Sequence, residues 1–345
     1  MSLASLVEEY VPAVDAEMRS IVDGRGAQLD LYRYLAYHLG WLDERFQPVT
    51  AAEARRYGGK RLRPILCLLA YRSQRQDWER ALPAAAAVEL IQNFTLIHDD
   101  VEDNDAERRH RPTVWKLWGV PQAVNAGSCM QALVNTAALR LAERGFPAHT
   151  VLEALRELTD CIVELTEGQF LDISFEGRFD VTLEEYFSMT TRKTGALFRT
   201  AAGLGALLGA DDPHVRDAWR VLGSSLGLAF QARDDVLGIW EESAVTGKAA
   251  GGDILKRKKS LPIVFALTRA PVADRSAIVD AFRCDTLNEA DVARVVAVLD
   301  RCGAREYCRG VVRQHGQAAL AALERLPPVP AAAHVRDLVH LVMQE

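Results

Sequence analysis

Apolar residues return at three- and four-residue steps along almost the whole chain, and sustained strand alternation is absent. LVEEYVPAVDAEMRSIV (6–22), AAVELIQNFTLIHDD (86–100), VLEALRELTDCIVELTEGQFL (151–171) and DVARVVAVLDRC (291–302) all read this way. A chain so patterned can bury its apolar stripes only by packing helix on helix. Asn-Gly hairpin turns are missing, while Gly and Pro punctuate the pattern at Gly58-Gly59, Pro83, Pro112, Gly119-Val-Pro121, Gly177 and Gly251-Gly252. The expectation is one all-α domain over residues 1–345, with about ten to thirteen helices of ordinary length.

Apolar residues make up 49% of the chain, enough for a large core. The 41 basic and 47 acidic residues leave a net charge of −6, which argues against a nucleic-acid binder. Cys67, Cys129, Cys161, Cys284, Cys302 and Cys308 form no CxxC pair or framework, as in a reducing compartment. No apolar run reaches the roughly 18 residues of a membrane span. The first residues carry no signal pattern, so a cytoplasmic location is expected.

Two tempting motifs fail. GLGALLG (203–209) has no strand before it and lacks the third glycine of a dinucleotide fingerprint. Around Gly247-Lys248, position 242 is Glu and position 249 is Ala, so this is no P-loop. HExxH is absent and the eight histidines are scattered, which disfavours zinc.

LIHDDVEDNDAERRHRP (96–112) sorts its charges instead of mixing them. Asp99, Asp100, Glu102, Asp103, Asp105 and Glu107 come first; Arg108, Arg109 and Arg111 follow. On a helix, Asp103 lies about 40° from Asp99, one turn further on, and Gln92 shares that face. Two carboxylates so placed suit a hard cation such as Mg²⁺, which keeps waters and is completed by phosphate oxygens. A solvated acidic face explains one such motif alone equally well.

FQARDDVLGIW (230–240) supplies a second pair, Asp234-Asp235, with Gln231 one turn before Asp235. Facing helices of a bundle build metal sites from such pairs. GGKRLRP (58–64), TRKTG (191–195) and GKAAGGDILKRKKSLP (247–262) add Lys60, Arg63, Lys193, Lys248 and the run Lys256–Lys259. Guanidinium forks suit diphosphate oxygens. Together these groups imply a ligand set with two phosphate-bearing ends, one held through metal and one by bare cations.

With ELIQNFTLIHDDVEDND (89–105), RRHRPT (108–113) and EGQFLD (167–172) in the same order, the sequence resembles the trans-isoprenyl diphosphate synthases, the polyprenyl synthetase family. The matching motifs span about 200 residues. The resemblance implies a helical bundle around a deep central cavity, a homodimer, and Mg²⁺, as three ions when substrate is bound. It implies condensation of isopentenyl diphosphate with an allylic diphosphate (dimethylallyl, geranyl or farnesyl). Gly59, Lys60, Arg63, Gln92 and Arg109 would bind isopentenyl diphosphate. Arg108, Lys193, Thr194, Gln231, Lys248 and Lys258 would bind the allylic partner. Asp99, Asp103 and Asp234 would ligate metal, and Asp100, Asp235, Lys193, Thr194 and Gln231 would join them in the catalytic set.

Three positions depart from the family pattern: His110 stands where glycine is usual, Ser128 where aspartate is frequent, and Gly238 where the last acid of the second motif belongs. Two rival readings remain. A class I terpene cyclase needs an Asn/Asp-x-x-Ser/Thr-x-x-x-Glu metal motif, which DDVLGIWEE (234–242) does not supply, and has no use for a second diphosphate pocket. A non-catalytic subunit of a heteromeric synthase would usually have lost the metal aspartates or the GGKRLRP basics.

Product length should follow from where the cavity floor lies. Thr95 is four residues before Asp99, near its face; Phe94 is five before, about 140° away. An aromatic followed by a small residue resembles some C20 makers. The expectation is geranylgeranyl diphosphate, with farnesyl diphosphate second.

Overall fold

A computed structural model describes residues 3–24, 29–240, 251–284, 286–327 and 331–344. Backbone contacts divide the chain into two compact units. The first comprises Met1–Ile162, Thr200–Arg220 and Leu326–Val335; the second comprises Val163–Arg199, Val221–Arg325 and Arg336–Glu345.

The first unit begins with α1 (Leu3–Asp23), α2 (Asp30–His38), α3 (Ala51–Gly58) and α4 (Leu62–Arg72). Thr50 starts α3 through a reciprocal cap with Glu53, which satisfies otherwise orphaned N–H groups. A 3₁₀ turn, Trp78–Ala81, leads into α5 (Leu82–Glu102), whose Pro83 sits where a missing N–H costs nothing. From Leu82 to Ile91 every α5 residue is buried, including the run Ala84–Ala87. Small side chains there let neighbouring backbones approach closely, and α7 (Val120–Glu143) packs against α5. At Gly127 of α7, an added Cβ would lie 2.2 Å from His98 Nε2 of α5, so only glycine fits beneath that ring.

Between them the chain turns through α6 (Val114–Trp118) and a short antiparallel pair, β1 (Glu107–Arg108) with β2 (Arg111–Pro112). Sequence patterning missed this hairpin because its strands are two residues long and its turn is Arg109-His110. Both turn residues have positive φ, 53° and 61°, as a tight two-residue hairpin demands. That conformation is why glycine suits position 110, and His110 adopts it here.

The second unit draws on α8 (Ala148–Phe175), α9 (Leu183–Thr190), α10 (Ala196–Gly209) and α11 (Pro213–Trp240), the residues of which it takes as given above. It continues with α12 (Gly252–Leu255), α13 (Leu261–Arg269), α14 (Val272–Arg283), α15 (Glu289–Arg301), α16 (Ala304–Glu324) and, from Arg336 onward, α17 (Ala331–Met343). One core cluster joins Ile239, Ile254, Ile263, Ile278, Val298 and Leu299. Another joins Phe175, Tyr186, Met189, Val236, Leu261 and Val264. Thr182 with Glu185, and Asn288 with Asp291, cap α9 and α15 as Thr50 caps α3.

Seventeen α-helical segments occur among the described residues, more than the ten to thirteen expected. Short pieces such as α6 and α12 account for the excess, and a π-turn at Thr191–Gly195 separates α9 from α10. Among the described residues no helix is long and apolar enough to cross a membrane.

Candidate active site

In the first unit the sorted charges lie at the end of α5. The Asp103 N–H donates to the Asp99 carbonyl at 2.8 Å, so the two aspartates stand one helical turn apart. Both are half-buried. They occupy the C-terminal turn of a helix, where the backbone dipole disfavours negative charge. A bound cation would relieve that cost.

Asp100 points elsewhere. It is 1% exposed, and Arg108 Nε donates to its Oδ1 at 2.6 Å. Its Oδ2 is buried with no hydrogen-bond partner among the described residues. Burial pushes this carboxyl up to about 7, while the Arg108 charge pulls it down. Asp100 thus acts as a brace for Arg108 at the start of the hairpin.

The positive φ of Arg109 swings its guanidinium onto the GGKRLRP segment. Its Nη1 donates to the Tyr57 carbonyl at 2.6 Å. A Cβ on Gly59 would lie 2.7 Å from Arg109 Nη2, so glycine is required for this approach. Burial first, then the neighbouring Arg61 charge, brings the Arg109 guanidinium down to about 10. It remains a cation at neutral pH.

Arg61 has a different task from its motif neighbours. Held at φ 49°, it sends its guanidinium inward to Glu89 Oε1 at 2.6 Å and Asp15 Oδ1 at 3.0 Å. Asn93 Nδ2 donates to the same Glu89 oxygen at 2.8 Å. This buried network anchors the segment, leaving Lys60 exposed and Arg63 half-buried at the first turn of α4. Gln92 is half-buried, and its carbonyl accepts the Thr95 hydroxyl at 2.9 Å. Phe94 is 4% exposed and meets His98 edge-on at 6.0 Å between centroids.

A small cleft is lined by Tyr37, His38, Tyr57, Asp100, Arg108, Arg109 and Arg111, together with residues 112–114. Arg111 is structural: it donates to the Leu42 carbonyl at 2.7 Å and stacks on the Tyr37 and Tyr57 rings. Burial, and then the nearby arginines, hold the His38 imidazole well below its ordinary range. Sequence reading missed Tyr37, His38, Arg61 and Glu89. Tyr37 and His38 stand about seventy residues before the hairpin, and no local pattern links them to it.

The second unit gathers its own set. Lys193 lies in the π-turn, and its Nζ pairs with Asp172 of the EGQFLD stretch. The α8 backbone reaches the turn because position 168 is glycine; a Cβ there would be 2.3 Å from Lys193 N. Any phosphate at Lys193 would compete with Asp172. Thr194 Oγ1 donates to Gln231 Oε1 at 2.7 Å, and Gln231 Nε2 donates to Asp235 Oδ1 at 2.8 Å. Tyr186 and the Leu261 N–H both donate to Asp235 Oδ2, at 2.5 and 2.7 Å. Burial, reinforced by the Asp253 charge, pushes the Asp235 carboxyl up to about 7. Asp234 is exposed on the same helix and Lys258 is half-buried. Lys248 lies outside the described residues.

Gly238, where the family pattern has an acid, lies against Asp253. A Cβ on it would be 2.5 Å from Asp253 Oδ2. A carboxylate brought from α12 fills the space over α11 that a side chain at 238 would take.

Among the described residues no three His, Cys, Asp or Glu side chains converge closely enough to hold a metal by themselves. The donor set still fits Mg²⁺, which takes one or two carboxylates and completes its shell with water and phosphate oxygens. Asp99 and Asp103 are such a pair.

Known proteins bear the same stamp. A family model described as "Polyprenyl synthetase" matches residues 49–299. The chain is 37% identical over 313 residues to the (2E,6E)-farnesyl diphosphate synthase of Mycobacterium tuberculosis, covering 90% of this chain and 84% of that one. It is 38% identical over 307 residues to the geranylgeranyl diphosphate synthase of the same organism, covering 88% and 83%. Among solved structures, a polyprenyl synthetase from Streptomyces coelicolor A3(2) superposes with a TM-score of 0.90 at 34% identity, over 99% of each chain. A geranylgeranyl pyrophosphate synthetase from Pyrococcus horikoshii Ot3 gives 0.88 at 29% identity, over 99% and 98%. The chain belongs to the polyprenyl synthetase family.

Proposed function

We propose that this chain condenses isopentenyl diphosphate with an allylic diphosphate, dimethylallyl, geranyl or farnesyl, to make a short-chain all-trans prenyl diphosphate. Prenyl transfer follows from family membership. Its product on this reading is geranylgeranyl diphosphate, with farnesyl diphosphate as the alternative. Residues 1–345 act as one catalytic domain, in a cytoplasmic homodimer.

The observation that carries the reading is the junction of α5 with the hairpin. There Asp99 and Asp103 stand one turn apart, with the braced Arg108 and the half-buried, cationic Arg109 on the hairpin that follows. Such a junction suits a ligand that is anionic and arrives with divalent cations. Mg²⁺, three ions on this reading, would when bound supply neutralisation of the diphosphate charge. Asp99, Asp103 and Asp234 would hold it.

Arg108, Lys193, Lys248 and Lys258 bind the allylic diphosphate and stabilise charge that grows on it as it leaves. Gly59, Lys60, Arg63, Gln92 and Arg109 hold isopentenyl diphosphate so that its double bond meets the allylic carbon. Apolar walls exclude water that would quench the allylic cation. The departing diphosphate takes the proton lost from the condensed product, so no side-chain base is needed.

The test uses the purified chain alone with Mg²⁺, labelled isopentenyl diphosphate and each of the three allylic primers. A prenyl diphosphate identified by mass is the expected result. No product with any primer would overturn the assignment.

A further inference from the structure

We propose that Tyr186 is a positioning residue for prenyl transfer: acting through Asp235, it fixes which way the Gln231 amide faces Thr194. The functional consequence rests on the prenyl-transfer reading above; the hydrogen-bond relay is read from the structure.

Three donors converge on one buried side chain. Tyr186 O–H and Leu261 N–H occupy Asp235 Oδ2, and Gln231 Nε2 occupies Oδ1. In its ionised form Asp235 is therefore held as an acceptor. An acceptor at that place forces the NH₂ end of the Gln231 amide toward Asp235 and its carbonyl end toward Thr194. Thr194 must then commit its hydroxyl proton to Gln231, at 2.7 Å. The side-chain oxygens at this end of the relay keep lone pairs and have no proton left to offer. Thr194 in this state is no donor to a phosphate.

Tyr186 is one of two rigid donors in the relay. Its ring is among the largest fully buried side chains, set in the core with Phe175, Met189, Val264 and Cys308. The phenol reaches Asp235 from within that apolar cluster. The Leu261 N–H is equally fixed, at the first residue of α13. Thr194 itself lies in the π-turn, a distortion that often marks working sites. Two rigid donors thus hold the carboxylate that orients the amide facing this turn.

The test is a double-mutant cycle of Tyr186→Phe and Gln231→Leu. Phenylalanine keeps the ring and removes only the hydroxyl. In the wild-type background Tyr186→Phe should lower kcat about tenfold, with the KM for isopentenyl diphosphate within about twofold. In the Gln231→Leu background the same change should move kcat by less than about twofold. The four proteins are also compared by thermal unfolding, which needs no activity, and their Tm shifts should be non-additive. Both results are required. An equal kcat loss in the two backgrounds, an unchanged kcat in the wild-type background, or additive Tm shifts would overturn the proposal. A wild-type protein inactive with every primer would overturn the functional reading, and additive Tm shifts would then still reject the relay.

Discussion

Gly238 of α11 lies beneath the carboxylate of Asp253, so close that a Cβ would stand 2.5 Å from Oδ2. The departure from the family pattern is therefore a steric match between two segments. Restoring the acid would not restore the motif; it would evict Asp253, which is 8% exposed. Gly238→Ala should destabilise the chain by about 1–3 kcal/mol through overpacking, and Gly238→Asp by more. Urea unfolding of both variants checks this, and wild-type stability in Gly238→Asp would contradict it.

Asp99→Ala should lower turnover by at least about two orders of magnitude at saturating Mg²⁺, because it removes a ligand acting on leaving-group charge. Steady-state kinetics over a range of Mg²⁺ concentrations gives the answer. Near-normal turnover in excess metal would remove Asp99 from the ligand set.

Arg63→Ala should mainly raise the KM for isopentenyl diphosphate, as loss of a clamp that binds ground and transition states alike. Arg108→Ala should act on the allylic substrate. It should also cost about 1–3 kcal/mol of stability, since Asp100 would be left buried with neither oxygen partnered. Arg63→Ala shifting only the allylic KM would reverse this division.

Phe94→Ala should lengthen the product if this ring forms the cavity floor. The ring is buried against His98, so the variant should also lose about 3–5 kcal/mol. Mass spectrometry of extracted products reads the chain length. Identical profiles for wild type and variant would place the floor elsewhere.

Lys259 links pH to stability. It is 3% exposed; its Nζ donates to the Glu176 carbonyl at 2.7 Å and lies over the Phe179 and Phe282 rings. Burial brings its ammonium from the ordinary 10.5 down to about 8. Between these values the unfolded chain holds a proton that the folded chain has lost, so this contribution to stability rises with pH. The stability of wild type relative to Lys259→Met should therefore grow between pH 8 and 10.5, by at most about 3 kcal/mol. A pH-independent difference in urea unfolding would show that Lys259 does not titrate there.

Local rules sufficed for much of this protein. Helical periodicity dictates helix-on-helix packing, and the order of motifs from GGKRLRP to KRKKSLP marks the family. The one-turn spacing of Asp99 and Asp103 is a property of any α-helix, so it was legible before the fold. What the tertiary structure decided is where polar side chains spend their hydrogen bonds, because partners distant in sequence leave no periodic trace. Asp100 and Asp235 look like their neighbours Asp99 and Asp234 in sequence, yet the former pair turn inward, to Arg108 and to Tyr186. Arg61 stands between Lys60 and Arg63, yet it is spent on Glu89 and Asp15. The hairpin at Arg109-His110 and the fit of Gly238 to Asp253 depend on backbone dihedrals and on packing between segments. Helix periodicity carries no information about either.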